Sequence, residues 1–280
     1  MRAGRVSAET DELGIGLRGL ALVIGRESLS LARSLRERGI NVADTKSSAV
    51  DVVTEADRSC EELIRQRILA ERPDDAIMGE EGDDHPGTSS VRWIVDPIDG
   101  TVNYLYGLPA WAVSIAAEVD GEVVAGVVIN GSSGVEYAAA RGAGATRDGR
   151  PIGVRPTPPL AERLVLTGFG YRSEVRAHQA ACVAALLPHV RDIRRMGSCA
   201  LDLCHVAEGS GDAYVEEGPQ PWDYSAGALV LTEAGGRFDL LAGRLGETVP
   251  GVGSHALVTG APAAGWDTFV EALNGAGFLA

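Results

Sequence analysis

WIVDPIDGT, Trp93 to Thr101, is the stretch on which the reading of this 280-residue chain turns. Ile94 and Val95 are β-branched and run into Asp96, so a strand is expected to deliver one carboxylate at its end. Pro97 fixes φ and with it the next bend, and Asp99 returns a second carboxylate to the same place. Two acids this close at the end of a buried strand are a poor structural device and a good platform for a hard cation. Gly100 lets the backbone approach a ligand closely. Thr101 opens a short helical stretch whose unpaired N–H groups favour a phosphate. Metal and phosphate are therefore expected to meet in one turn.

Taken alone, Asp-Pro-Ile-Asp-Gly is equally the composition of an ordinary turn. Other acidic segments move the reading toward a site. DVVTEAD (Asp51 to Asp57), MGEEG (Met78 to Gly82) and PWDYSAGALVLTEAGG (Pro221 to Gly236) each set an acid at the edge of an expected element.

Composition narrows the class. A formal net charge of −14 argues against nucleic acid as a partner, because a polyanion binder carries a basic stripe. Most of the acidic surplus serves solubility. The densest basic cluster, Arg191 to Arg195, reads as a solvated strand edge or a subunit contact. The four cysteines, Cys60, Cys182, Cys199 and Cys204, form no CxxC pair and no zinc spacing with histidine, which fits a reducing cytoplasm. The opening MRAGRVSAETDE lacks the apolar centre of a signal peptide, and no apolar run approaches the ~20 residues of a membrane span. A soluble cytoplasmic protein is expected, with no membrane partner. The histidines are scattered, and none is assigned a catalytic role.

Leu13, Leu17, Leu20, Ile24, Leu31 and Leu35 recur at helical spacing, which predicts a long amphipathic helix from about residue 11 to 38, ended by Gly39. Ala56, Cys60, Leu63, Ile64 and Ile68 form the apolar face of a second helix that stops before Pro73. From Trp111 to Ile129 the pattern turns to strands, with Asp120-Gly121 and Asp148-Gly149 as hairpin turns and a further strand at Val135 to Ala140. The proline-rich VRPTPPL, Val154 to Leu160, is the expected boundary between an N-terminal α+β half, residues 1–153, and a C-terminal α/β half, residues 154–280. Beyond it strands and helices alternate: a strand in RLVLTG, a helix from about Glu174 to Leu187, a strand near Ile193, a helix from Ser198, then a strand in DAYVE. Asp223 is placed as the N-cap of the following helix, and Gly235-Gly236 as its stop.

WIVDPIDGTVNY and WDYSAGALVLTEAGG, in this order and at this separation, match the two signatures of the inositol monophosphatase family, the lithium-sensitive, magnesium-dependent phosphatases of the fructose-1,6-bisphosphatase-like superfamily. The chain resembles that family from about Leu13 to Phe269. The resemblance implies an α+β and α/β chain folded as a layered αβαβα sandwich. It also implies that Glu80, Asp96, Asp99 and Asp223 converge. Two carboxylates ~4 Å apart repel by about 4 kcal/mol at an effective dielectric of 20, so four of them together need cations. Oxygen ligands favour Mg²⁺.

By resemblance, Glu80, Asp96 and the backbone carbonyl of Ile98 hold a first ion, Asp96, Asp99 and Asp223 a second, and Glu80 a third through water. Two to three Mg²⁺ ions are implied, and three would cancel the formal charge of the four acids and a phosphate monoester. The implied reaction is in-line attack of water on phosphorus without a phosphoenzyme, with Thr101 positioning the water and passing a proton toward Asp57. Asp57 reads otherwise as an acid at a helix N-terminus. No Cys or Ser carries a nucleophile motif with its own base. Asp99, Gly100, Thr101 and Asp223 are further implied as substrate-binding residues. The stretch MGSCALDLC sets Gly197, Ser198 and Cys199 near the sugar-alcohol ring, with Glu216 accepting its hydroxyl groups. Ser198 is also a plausible helix N-cap and Glu216 a plain strand acid. The family commonly has alanine at the position of Cys199, phenylalanine at that of Tyr104 and a smaller residue at that of Tyr224. Lys46 sits where the family keeps a basic residue near the metal entrance, and equally suits an open surface.

The leading substrate is inositol 1-phosphate or a similar small polyol phosphate. Fructose-1,6-bisphosphatase, histidinol-phosphate phosphatase and adenosine 3′,5′-bisphosphate nucleotidase activities are the alternatives on the same scaffold. Binding to transcription machinery is the non-catalytic one. The resemblance further implies a homodimer.

Overall fold

The leucine stripe at the start of the chain packs as its spacing demands. A computed structural model describes residues 2–39, 42–45, 52–249, 253 and 255–280; Lys46 lies outside the described residues. Helix α1 (Arg2–Glu37) begins earlier than the spacing predicts and ends just before Gly39, whose φ of 104° suits a residue without a Cβ. Leu17, Ala21, Ile24 and Ala32 are buried along it. A two-stranded antiparallel ribbon, β1 (Val42–Thr45) and β2 (Val52–Thr54), leads into α2 (Glu55–Glu71). Ala56, Cys60, Ile64 and Ile68 are buried on one side of α2, while Leu63 is half-buried.

The next strands are β3 (Ala76–Gly79) and β4 (Val91–Asp99), followed by the single-turn α3 (Thr101–Tyr106). Then come β5 (Ala112–Val119), β6 (Glu122–Asn130), β7 (Glu136–Ala140), β8 (Ala145–Arg147) and β9 (Arg150–Pro151). These form a seven-stranded sheet in the order β3-β4-β5-β6-β7-β8-β9, in which only β3 and β4 are parallel. Both predicted hairpin turns are present. Asp120 and Asp148 take φ of 52° and 50°, followed by glycines at 85° and 73°, the pairing a two-residue hairpin requires.

The second sheet is built from β10 (Leu164–Thr167), β11 (Asp192–Arg194), β12 (Ala213–Glu217), β13 (Gly236–Ala242) and β14 (Ala256–Pro262). Its order is β11-β10-β12-β14-β13. Between these strands run α4 (Ser173–Leu186), α5 (Cys199–Ala207), α6 (Pro221–Glu233) and α7 (Leu245–Thr248), and α8 (Trp266–Gly275) closes the chain.

Strand alternation sorts the side chains into three cores. On β4 and β5, Trp93, Val95, Val113, Ile115 and Ala117 face α1 and α2, whereas Ile94, Ala112 and Ala116 face α5 and α6. Leu166 and Tyr214 of the second sheet join that central core, while Val165 and Val215 point outward to Cys182, Leu186, Phe269 and Leu273 of α4 and α8. The result is the αβαβα sandwich, with α5 and α6 as the shared middle layer. Tyr104 is fully buried between layers, its hydroxyl donating to the Ala32 carbonyl (2.8 Å) and its ring meeting Trp111 edge-on at 4.9 Å. A phenylalanine here would leave that carbonyl without this donor. Tyr224 packs on Phe238, with ring centroids 5.6 Å apart.

Candidate active site

Asp96 and Asp99 stand three residues apart, a spacing that regular strand alternation sends to opposite faces. The structure corrects the expectation that the strand ends at Asp96, because β4 continues to Asp99 through a bulge. Asp96 pairs with Ser114 and Asp99 with Ala112, so three steps on β4 oppose two on β5. Pro97 supplies no N–H to the ladder, and the extra residue restores both carboxylates to one face. Asp96 Oδ1 accepts the Ile98 N–H at 2.9 Å, locking the bulge from within.

The remaining acids arrive from separate elements. Glu80 follows β3 directly, and β3 lies parallel to β4, so the loop emerges beside Asp96. Asp223 comes from the first turn of α6. Here the structure corrects a second expectation, since the N-cap is Gln220 and Asp223 is the third helical residue, accepting the Gln220 N–H at 2.6 Å. Pro221 sets this register, because a proline at the first helical position has no N–H to lose. Oxygens of Asp96, Asp99 and Asp223 lie within 4.8 Å of one another.

The electrostatics are those of an anionic nest. Burial first, then Glu80, Asp99 and Asp223, push the Asp96 carboxyl well above the ordinary carboxylate range, and a hydrogen bond with Glu80 adds to the effect. Burial, then Glu80 and Asp99, raise Asp223 similarly. Asp99 is raised to about 7 by burial, against the stabilising hydrogen bonds of Ser198 Oγ (2.5 Å) and Ala200 N–H (2.8 Å) to Oδ2. Burial also raises Glu217, at the cavity wall, to about 7.

These shifts set the sign of a pH dependence. An acid whose pKa is raised on folding binds its proton more tightly in the folded state, so stability falls as pH climbs through the interval between the two values. For Asp99 and Glu217 that interval is about 4 to 7. The chelated protein is therefore expected to melt at a lower temperature at pH 8 than at pH 5, and Mg²⁺ to raise the melting temperature more at pH 8. A scanning fluorimetry series with EDTA and with Mg²⁺ reads both effects.

The cluster opens into a cavity of about 530 Å³ lined by Glu80, Asp96, Ile98, Asp99, Gly100, Thr101, Gly197, Cys199, Glu216 and Asp223, among others. The predicted residues are thus gathered in one place, with two exceptions. Ser198 is buried and does not line the cavity; its hydroxyl donates to Asp99 and accepts the Leu201 N–H at 3.2 Å as the N-cap of α5. Asp57 also stands behind the wall, fully buried. Its Oδ2 accepts the Thr54 N–H (2.8 Å) and Thr54 Oγ1 (2.5 Å) in a capping box, and Thr101 Oγ1 lies 3.1 Å from its Oδ1. The Ile98 carbonyl is equally close to Thr101 Oγ1, at 3.1 Å. Burial raises the Asp57 carboxyl, and the Thr54 hydrogen bonds oppose the shift.

Gly100 holds φ at 92°, and a Cβ there would come within 2.9 Å of the Ala110 and Gly197 carbonyls. Glu216 is seated by Tyr214, whose hydroxyl donates to Oε2 at 2.6 Å, and a Cβ on Gly168 would fall 1.9 Å from the same oxygen. Sequence reasoning named neither Tyr214 nor Gly168. It also read Arg191 to Arg195 as a solvated strand edge or a subunit contact; β11 is the edge strand of its sheet, but Arg195 turns into the cavity, where burial raises the Glu216 carboxyl and the Tyr214 hydrogen bond, then the Arg195 charge, oppose that rise. His255 lines the cavity too. Only the adjacency of Arg195 to Met196-Gly197-Ser198 pointed toward this role. Asn103 Nδ2 ties α3 to the same segment by donating to the carbonyls of Ala110 (2.6 Å) and Met196 (2.8 Å).

The donor set fits a hard divalent cation. It consists of carboxylate oxygens crowded within one buried cluster, and burial and the neighbouring acids hold the Cys199 thiol protonated, which removes it as a soft ligand.

The chain is similar to proteins of known sequence and structure over most of its length. An Inositol-1-monophosphatase of Mycobacterium bovis is 45% identical over 235 residues, 81% of this chain and 81% of that protein. A Nus factor SuhB of Xylella fastidiosa is 42% identical over 204 residues, 71% of this chain and 74% of that one. The solved structure of Mycobacterium tuberculosis SuhB superposes with a TM-score of 0.78 at 38% identity, covering 95% of this chain and 98% of that one. The family model described as the inositol monophosphatase family matches residues 17–268, and the chain belongs to that family.

Proposed function

We propose that this protein is a Mg²⁺-dependent phosphomonoesterase that hydrolyses inositol 1-phosphate, or a closely similar small polyol phosphate, to the free alcohol and phosphate. The observation that carries the reading is the convergence of Asp96, Asp99 and Asp223 oxygens within 4.8 Å in a cavity that also holds Glu80. In this reading Glu80, Asp96, the Ile98 carbonyl, Asp99 and Asp223 hold two to three ions. When bound, the ions neutralise the phosphate, activate water and stabilise the leaving oxygen.

The chain's own groups supply the remainder. The backbone at Gly100 and Thr101 faces the phosphate. Thr101 Oγ1 accepts a hydrogen bond from the attacking water and hands its own proton toward Asp57 Oδ1, 3.1 Å away. The water oxygen bonds to phosphorus as the ester P–O bond breaks; the leaving alkoxide takes a proton from a solvent water, and Asp57 later returns the proton it received to solvent through Thr101. Asp57 is held for this task by Thr54, which engages its other oxygen. Gly197, Cys199 and Glu216 line the ring side of the cavity, with Glu216 accepting hydroxyl hydrogen bonds; Ser198 acts there through Asp99. A pocket that pairs hydroxyl groups rejects substrates lacking them.

Turnover measured side by side on inositol 1-phosphate, fructose 1,6-bisphosphate, histidinol phosphate and adenosine 3′,5′-bisphosphate tests the reading. The highest kcat/KM is expected for inositol 1-phosphate, and a preference for any other member of the set overturns the substrate assignment. Millimolar Li⁺ at limiting Mg²⁺ is expected to reduce the rate severalfold in a small-cation site of this kind. Rates unchanged across a lithium titration would count against it.

The division into halves 1–153 and 154–280, a homodimeric assembly and a cytoplasmic location belong to the same proposal. The four cysteines are unpaired buried thiols, which suits a reducing compartment. No described helix is long and apolar enough to cross a membrane. A second role, as a partner of transcription machinery, is favoured by the 42% identity to the Xylella protein named a Nus factor. Retention of pull-down by the inactive Asp96→Asn protein would separate that role from catalysis.

A further inference from the structure

Glu61 lies on α2, away from the cavity wall, and only 2% of it is exposed. Its carboxylate is enclosed by the turn that follows β3. Oε2 accepts the Glu81 N–H and Oε1 the Gly82 N–H, both at 2.8 Å, while Arg65 Nε donates to Oε1 at 2.9 Å. The turn fits closely around it: a Cβ on Gly79 would stand 2.5 Å from the Glu61 carboxylate, and one on Gly82 would stand 2.9 Å away. Glu80 is the residue between these anchors. An exposed i,i+4 ion pair contributes a few tenths of a kcal/mol to a helix and asks nothing of a distant loop. Here the acid instead accepts two backbone N–H groups about twenty residues away in sequence, so both its oxygens are committed to the shape of one turn.

We infer that Glu61 is a positioning residue for the metal site: its carboxylate is the template on which the Gly79–Gly82 turn folds, and it thereby fixes where Glu80 meets Asp96. The inference rests on the reading of Glu80 as a metal ligand. A neutral amide cannot replace the acid, because a Gln side chain turns an NH₂ group toward one of the two N–H donors. Outer-shell partners of metal ligands typically contribute 10–100-fold to metal affinity.

The test is calorimetric titration of Mg²⁺ into the chelator-stripped full chain, wild type, Glu61→Gln and Glu80→Gln, with turnover against Mg²⁺ concentration alongside. Glu61→Gln is expected to bind Mg²⁺ about 10–100-fold more weakly. At saturating Mg²⁺ its kcat is expected to return to within about threefold of wild type, a split that general destabilisation would not produce. Wild-type Mg²⁺ affinity in Glu61→Gln, with Glu80→Gln weakened, overturns the inference while leaving the ligand assignment standing. Wild-type affinity in Glu80→Gln overturns both. Should Glu61→Gln fail to fold, Gly79→Ala decides in its place, because the three atoms nearest its new methyl all belong to the Glu61 carboxylate, which it displaces. It too is expected to weaken Mg²⁺ binding about tenfold or more, and unchanged binding overturns the inference.

Discussion

Asp96→Asn is expected to slow phosphate release about a thousandfold or more, a loss of roughly 4 kcal/mol of transition-state stabilisation. Asp96 is the acid most enmeshed in the cluster, pressed by burial and by Glu80, Asp99 and Asp223 together. The amide keeps the shape of the side chain and an oxygen for the Ile98 N–H, so the bulge that it locks survives. What it removes is the charge. The same substitution is therefore expected to raise, not lower, the melting temperature in EDTA at pH 8, because one member of a mutually repelling set has been neutralised. Opposite signs for activity and for metal-free stability distinguish an electrostatic role from damage to the fold. Malachite-green turnover and thermal melts on one preparation read both. Undiminished turnover in Asp96→Asn would sink the proposed hydrolysis.

Thr101→Ala carries the second large effect, an expected drop in kcat of about a hundredfold or more with little change in KM, in the range of a lost general acid–base partner. Thr101 Oγ1 lies 3.1 Å from both Asp57 Oδ1 and the Ile98 carbonyl, and it has one proton to place. Asp57 competes for that proton with Oδ1 because its Oδ2 is already committed to Thr54. Thr101→Ser is expected to recover most of the rate, since it restores the hydroxyl. Asp57→Asn should reproduce the loss and add about 1 kcal/mol of instability from the weakened capping box. Thr54→Val should bring the stability cost with a smaller loss of rate. If Thr54→Val and Asp57→Asn prove equally inactive, Asp57 matters only as a cap and the proton route is wrong.

The contrast between Asp57 and Ser198 shows how far residue type can be trusted. Ser198 was open to a capping reading and Asp57 to that of an acid at a helix N-terminus, and each description fits: Ser198 is the N-cap of α5, and Asp57 is the third-residue partner of the N-cap Thr54 in the capping box of α2. In neither case does the cap preclude a link to the site, because each side chain has hydrogen-bonding capacity left over. Asp57 spends it on Thr101 and Ser198 on Asp99. The misplaced N-cap of α6 has a different origin. Asp is a stronger N-cap than Gln by intrinsic preference, yet Pro221 starts the helix earlier and moves Asp223 to the third position, where it reaches back to the Gln220 N–H.

Chemistry within a few residues was enough for most of the layers. Leucines at helical spacing, Asp-Gly pairs at hairpin turns and the β-branched run into Asp96 are each decided by local sterics and local burial, and the helices and strands they imply are present. Where side chains from different elements meet was not written at that range. The bulge that turns Asp96 and Asp99 to one face depends on register against β5, and the seating of Glu80 beside Asp96 depends on β3 lying parallel to β4. Arg195 entering the cavity, Gly168 making room for Glu216 and Glu61 filling the turn before Glu80 are likewise contacts between segments far apart in the chain. Periodicity reports which face of an element is apolar. It carries no information about which distant polar group completes a hydrogen bond or leaves space for a carboxylate, and close packing alone settles those pairings.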